Sequence, residues 1–128
     1  FHDDRGGALR GTNTVRIFTA GGLSVAHLGD LGHQLTAEQA AAIGPVDAVP
    51  VPVGGVYTVD AAGAKAVCDA LHPRCVVPMH YHHAPYGLKE VDNVEPFLEQ
   101  WSSEAVHHLQ GAAFELTEQT AGVMVPSF

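Results

Sequence analysis

Apolar residues in this chain fall in short, sharply bounded runs, separated by glycine, proline and aspartate, and the runs switch between strand-like and helix-like spacing. Residues 15–19 and 23–28, joined by Ala20-Gly-Gly22, read as a β-hairpin because glycine supplies positive φ where the chain reverses. Thr36 is placed to cap a short helix over Ala37–Ile43, with Glu38 and Gln39 in its first turn and Gly44-Pro45 ending it. A valine-rich strand follows over residues 46–53. Gly54-Gly55 closes it, Asp60 caps a helix over Ala61–Leu71, and Cys75–Met79 is apolar and β-prone. Together these make a βαβ unit, so its strands should run parallel with a right-handed crossover. Ligands collect beyond the carboxyl ends of such strands, where Gly54, Gly55 and His80 lie.

The remainder is less sharply patterned. Residues 84–93 are polar and loop-like, and residues 94–101 predict a short helix whose stripe of Phe97, Leu98 and Trp101 belongs to the core. Residues 106–109, 113–116 and 123–125 read as short closing strands. No repeat, linker or low-complexity tract interrupts the chain, which fits one α/β domain.

Composition narrows the function classes. With 128 residues, 46% hydrophobic and 16% charged, the chain is far from a disordered composition. Its formal charge of -8 comes from 14 acidic and 6 basic residues without a Lys/Arg cluster, which argues against nucleic acid as an electrostatic partner. No run approaches the roughly 20 apolar residues needed to span a bilayer, and no basic-then-apolar leader opens the sequence. A soluble, cytoplasmic protein is the expectation, with Cys68 and Cys75 as reduced, packed thiols. A start at Phe1 rather than Met suggests a processed, proteolysed or partial product.

The chemistry-bearing residues cluster at the predicted strand ends. His27-Leu-Gly-Asp-Leu-Gly-His33 follows the hairpin, and Pro78-Met-His-Tyr-His-His83 closes the βαβ unit. Asp30, with Gly29 before it and Gly32 after it, can approach a cation closely because the neighbouring backbone carries little bulk. A turn aspartate held by backbone N–H groups is the alternative. His80 offers an imidazole of the kind that zinc and other transition metals take. His82 and His83 are expected in a solvated loop, and His107 and His108 are expected to be incidental.

Four spaced stretches carry a family resemblance: Phe1-His-Asp-Asp4 with Gly6-Gly7 and Arg10-Gly11; the heptapeptide around Asp30; Pro52-Val-Gly-Gly55 with Tyr57; and Pro78-Met-His-Tyr81. In this order they resemble the second half of a metallo-β-lactamase-fold hydrolase, in the Zn-dependent branch that includes ascorbate-phosphate lactonase-like proteins. The resemblance covers roughly the first two thirds of the chain, since its last quoted motif ends at Tyr81 of 128 residues. It implies the C-terminal part of an αββα sandwich. It also implies metal ligation by His2, by Asp30 as the carboxylate bridging two metals, and by His80. Apart from the resemblance, His33 and Tyr81 lie near enough in sequence to these residues to be expected to support the site or touch substrate. Gly54 and Gly55 would shape the pocket floor.

The family's His-x-His-x-Asp-His signature, which supplies the other ligands, does not occur in these residues. The expectation is therefore part of a hydrolase using two Zn2+ ions, with Mn2+ or Fe as substitutes, a small-molecule substrate and a metal-activated water. It should be inactive without the missing N-terminal half. That half, or a second chain, should cover a sheet face that would otherwise leave apolar area in water at about 25 cal/mol per Å². Two alternatives remain: a non-catalytic binding or assembly module derived from the same fold, and an unrelated small βαβ domain. The last predicts that Asp30 and His80 lie far apart.

Overall fold

The computed structural model describes residues 1–127. Strands β1 (Arg16–Ala20) and β2 (Leu23–His27) form the hairpin, with Arg16 opposite His27 and Ala20 opposite Leu23. Helix α1 (Ala37–Ile43) starts on a full capping box: the Thr36 hydroxyl accepts from the Gln39 N–H, and the Gln39 side chain accepts from the Thr36 N–H. Strand β3 (Ala48–Pro52), helix α2 (Ala61–Leu71) and strand β4 (Cys75–Met79) form the βαβ unit, with β3 and β4 parallel along their length. Asp60 caps α2 by accepting from the Gly63 N–H at 2.8 Å.

The C-terminal third departs further from expectation. Helix α3 (Glu95–Leu98) is shorter than residues 94–101, and strands β5 (Val106–His108) and β6 (Gly122–Val125) flank a segment that is not a strand at 113–116. The sheet order is β1-β2-β3-β4-β6-β5, antiparallel only between β1 and β2. Arg74 explains how residues 117–120 are held without strand pairing: its Nη1 donates to the carbonyls of Thr117, Glu118 and Thr120 while Nη2 reaches Asp47 at 2.7 Å. The Arg74 hydrogen bond, reinforced by the Ser24 N–H, holds the Asp47 carboxyl below its ordinary pKa against the opposing effect of burial.

Strand alternation divides the sheet into two faces. Val49, Val51 and Val53 point with Ala26, Leu28, Val76, Val123 and Val125 into the main core under α2, where Phe97 is fully buried. Ala48, Cys75 and Met124 point to the other face, where Val25, Val77, Leu109 and Leu116 pack against them. Toward the carboxyl ends of the parallel strands that face opens into an apolar hollow of about 490 Å³ lined by Pro50, Val77, Met79 and Tyr86. On the hairpin Phe18, paired with Val25, continues this open face and is 57% exposed, whereas Ile17, paired with the core residue Ala26, lies on the opposite side.

Candidate metal centre

β2 and β4 lie on either side of β3, and each ends in a turn that carries a candidate ligand. The turn after β2 presents Asp30 and the turn after β4 presents His80; His80 Nε2 lies 3.2 Å from Asp30 Oδ1. Both side chains are a little under half exposed, so the pair is open to a ligand. This juxtaposition excludes the unrelated-domain alternative in the form stated above. It results from three-strand geometry across residues fifty positions apart in sequence.

Close backbone contacts fix each turn. His80 has φ of 57°, a left-handed conformation that is unusual without glycine. Gly54 is buried directly against it: a Cβ there would collide with the His80 carbonyl oxygen. Around Asp30, Gly29 has φ of 61°, its N–H donates to His27 Nδ1 at 3.1 Å, and the Asp30 N–H donates to Asn13 Oδ1 at 2.9 Å. His27 is thus part of the turn that carries Asp30.

His2 is half-buried and its backbone rests against Gly32, two residues beyond Asp30, where a Cβ would strike the His2 carbonyl group and the Asp3 nitrogen. The Gly32 N–H donates to the Phe1 carbonyl and the His2 N–H to the Gly11 carbonyl, both at 3.1 Å. The fold therefore brings the His2 peptide to the Asp30 turn. It does not, among the described residues, gather three or more His, Cys, Asp or Glu side chains into a group able to hold a metal ion. Asp30 and His80 have the donor chemistry and the proximity for one; the set is partial.

The supporting residues divide among adjoining hollows. His33, Gly55 and Tyr57 line one of about 380 Å³ together with Asp3, Asp4 and Arg10. Gly55 and Tyr57 also line a second, of about 180 Å³, with His80, Tyr81 and Leu88. His33 Nδ1 is 2.7 Å from the Gln34 carbonyl, and its Nε2 is 2.9 Å from the Phe1 amino group. Arg10 stacks over the Tyr57 ring at 5.3 Å, and the Tyr57 hydroxyl donates to Glu90 at 3.0 Å. That hydrogen bond and the Glu90 charge raise the Tyr57 pKa; burial, aided by Glu95, raises that of Tyr81. Both phenols therefore stay protonated at neutral pH.

Other groups are structural. Cys68 and Cys75 are free, and burial pushes their thiols up to about 12 and about 11 respectively, which leaves no thiolate to act as nucleophile. His82 departs from the solvated reading: it is half-buried, with its Nδ1 shut away from water and without a hydrogen-bond partner, whereas His83 is exposed.

Two residues that sequence reasoning passed over shape this region. Asp3 is buried, and its carboxylate accepts from the N–H groups of Arg5, Gly7, Leu9 and Arg10 at 2.7–2.9 Å. Burial opposes ionisation, but these peptide bonds together hold the carboxyl far below the usual carboxylate range. Both of its oxygens are occupied, so Asp3 stabilises the loop after His2. Asn13, the second, bridges to the Asp30 turn. The cluster of glycines after Asp3 was the available signal for a loop folded around it.

The fold and its Asp30–His80 pair define an α/β protein with an acid and an imidazole at the strand ends, and comparison with known proteins supplies the class. Residues 1–80 match the β-lactamase superfamily domain family, and the chain belongs to that family. It is 35% identical over 75 residues to a UPF0173 metal-dependent hydrolase of Carboxydothermus hydrogenoformans, covering 59% of this chain and 33% of that protein. It is 31% identical over 99 residues to a UPF0173 metal-dependent hydrolase of Hyperthermus butylicus, covering 75% and 42%. The crystal structure of a candidate Zn-dependent hydrolase of the metallo-β-lactamase superfamily from Thermotoga maritima superposes with a TM-score of 0.82 at 38% identity, covering 91% of this chain and 59% of that one. The chain thus spans less than half the length of these two curated relatives. The fold is that of the metallo-β-lactamase superfamily, and the family relation is to metal-dependent hydrolases.

Proposed function

We propose that this chain forms the C-terminal part of a hydrolytic metal site, whose cations would be held by Asp30, shared between two of them, by His80 on one and by His2 on the other. The observation that carries the reading is the approach of His80 Nε2 to Asp30 Oδ1 at 3.2 Å across the ends of β2 and β4. Bound zinc, the cation best matched to this His/Asp mixture, would lower the pKa of a bridging water and polarise the scissile group. Within the protein, the Gly54 contact holds His80 in its left-handed conformation, and the tied Gly29 turn aims Asp30. The protonated Tyr57 and Tyr81 phenols and the Arg10 guanidinium line hollows of a size suited to orienting a small-molecule substrate.

The remaining ligands are assigned to a preceding segment of the whole protein, which would also cover the open apolar face around Pro50, Val77 and Met79. On this reading the 128 residues alone bind metal weakly and do not turn over substrate. In the intact protein, Asp30→Ala is expected to remove metal and hydrolysis together, measured by elemental analysis and by turnover of a panel of lactone and phosphoester substrates. Unchanged metal content and rate in that variant would sink the assignment. An intact protein with neither metal nor turnover would instead favour a binding or assembly module.

A further inference from the structure

The turn that carries Asp30 has an anchor outside its own sequence. Asn13 precedes β1, seventeen residues before Asp30, yet its side chain spans the turn on both sides of Gly29. Its Nδ2 donates to the Leu28 carbonyl at 2.8 Å, and its Oδ1 accepts from the Asp30 N–H at 2.9 Å. One amide thereby replaces the donor and the acceptor that a neighbouring strand would supply beyond the end of β2. The fit is tight: a Cβ on Gly29 would approach Asn13 Oδ1 to 2.5 Å, and Gly29 already has φ of 61°. Asn13 is itself half-buried, so the amide is partly shielded from competing water.

We infer that Asn13 is a positioning residue that fixes the backbone of Asp30 so that its carboxylate points toward His80. This rests on the metal-site reading above. The mechanism is backbone orientation. The Asp30 N–H is spent on Asn13, and the carboxylate oxygen is left free to meet His80 at 3.2 Å. Without the amide, the Leu28 carbonyl and the Asp30 N–H would turn to water, and the turn would sample orientations in which Asp30 and His80 no longer converge. Residues that orient metal ligands by hydrogen bonding typically change metal affinity by about 10–100-fold when removed.

The test is chelator competition for Zn2+ in the intact protein, run on Asn13→Ala, Asn13→Ser, Asp30→Ala and Phe97→Ala at a temperature where circular dichroism shows each folded. Asn13→Ala is expected to weaken zinc by about tenfold or more. Asn13→Ser, which keeps a small polar group and serves if the alanine variant does not fold, should weaken it less than Asp30→Ala does. Phe97→Ala loosens the core without touching the turn and should keep wild-type zinc affinity. Wild-type affinity in the folded Asn13 variants, or an equal loss in Phe97→Ala, would overturn the positioning role. Retention of zinc by Asp30→Ala would instead overturn the metal site on which that role depends.

Discussion

Asp3 carries a full charge inside a loop of peptide donors, and the consequence should be visible in acid. Its folded-state pKa is depressed because four N–H groups outweigh the burial that opposes ionisation. A group depressed in this way adds stability that is present above its unfolded pKa, about 3.9, and is lost as pH falls toward the folded value. Thermal melts between about pH 5 and pH 2 should therefore lose stability less steeply in Asp3→Asn than in the wild type, while the variant starts lower at pH 7. Parallel curves would show that the Asp3 cage does not set the acid response. Asp3 was adjacent to the predicted ligand His2 yet overlooked. Its partners are backbone atoms of four following residues, and loop curvature rather than side-chain identity puts them there.

At the scale of elements, the βαβ unit does the positioning and its weakest tolerance is at Gly54. The glycine was read as pocket floor. Its buried contact with the His80 carbonyl also makes it the spacer between the end of β3 and the turn after β4. Gly54→Ala must push these segments apart, at a cost of about 1–3 kcal/mol, the usual range for inserting a methyl into packed structure. Urea unfolding should report that loss, and zinc affinity of the intact protein should fall with it. A neutral substitution would mean that the turn has room that the contact denies. The hairpin, α1, α2, β3 and β4 were all legible because caps, glycines and apolar runs coincide at their boundaries. The strand expected at 113–116 is not formed; Leu116 packs against the sheet face and Arg74 holds the following carbonyls of Thr117, Glu118 and Thr120, contacts with distant residues that no local pattern announces.

For the molecule as a whole, the two faces of the sheet predict different behaviour. One is closed by α2 and Phe97, and the other is open beyond Leu109 and Leu116. Under the proposed assembly, the 128-residue chain should bind more of a hydrophobic dye such as ANS than the intact protein does, with Phe18→Ser in the isolated chain lowering that signal. Equal dye binding by the two would argue that nothing covers this face. No described helix is long and apolar enough to cross a membrane.

The sequence by itself determined the α/β class, the parallel βαβ unit, and the placement of Asp30 and His80 after strands, because local capping, glycine punctuation and strand alternation are written in neighbouring residues. Only the tertiary structure decided that Asp30 and His80 converge at 3.2 Å, that Asn13 ties the Asp30 turn, and that the His2 backbone abuts Gly32. These contacts join residues far apart in the chain, and their geometry follows from strand order and close backbone packing, which no local pattern specifies.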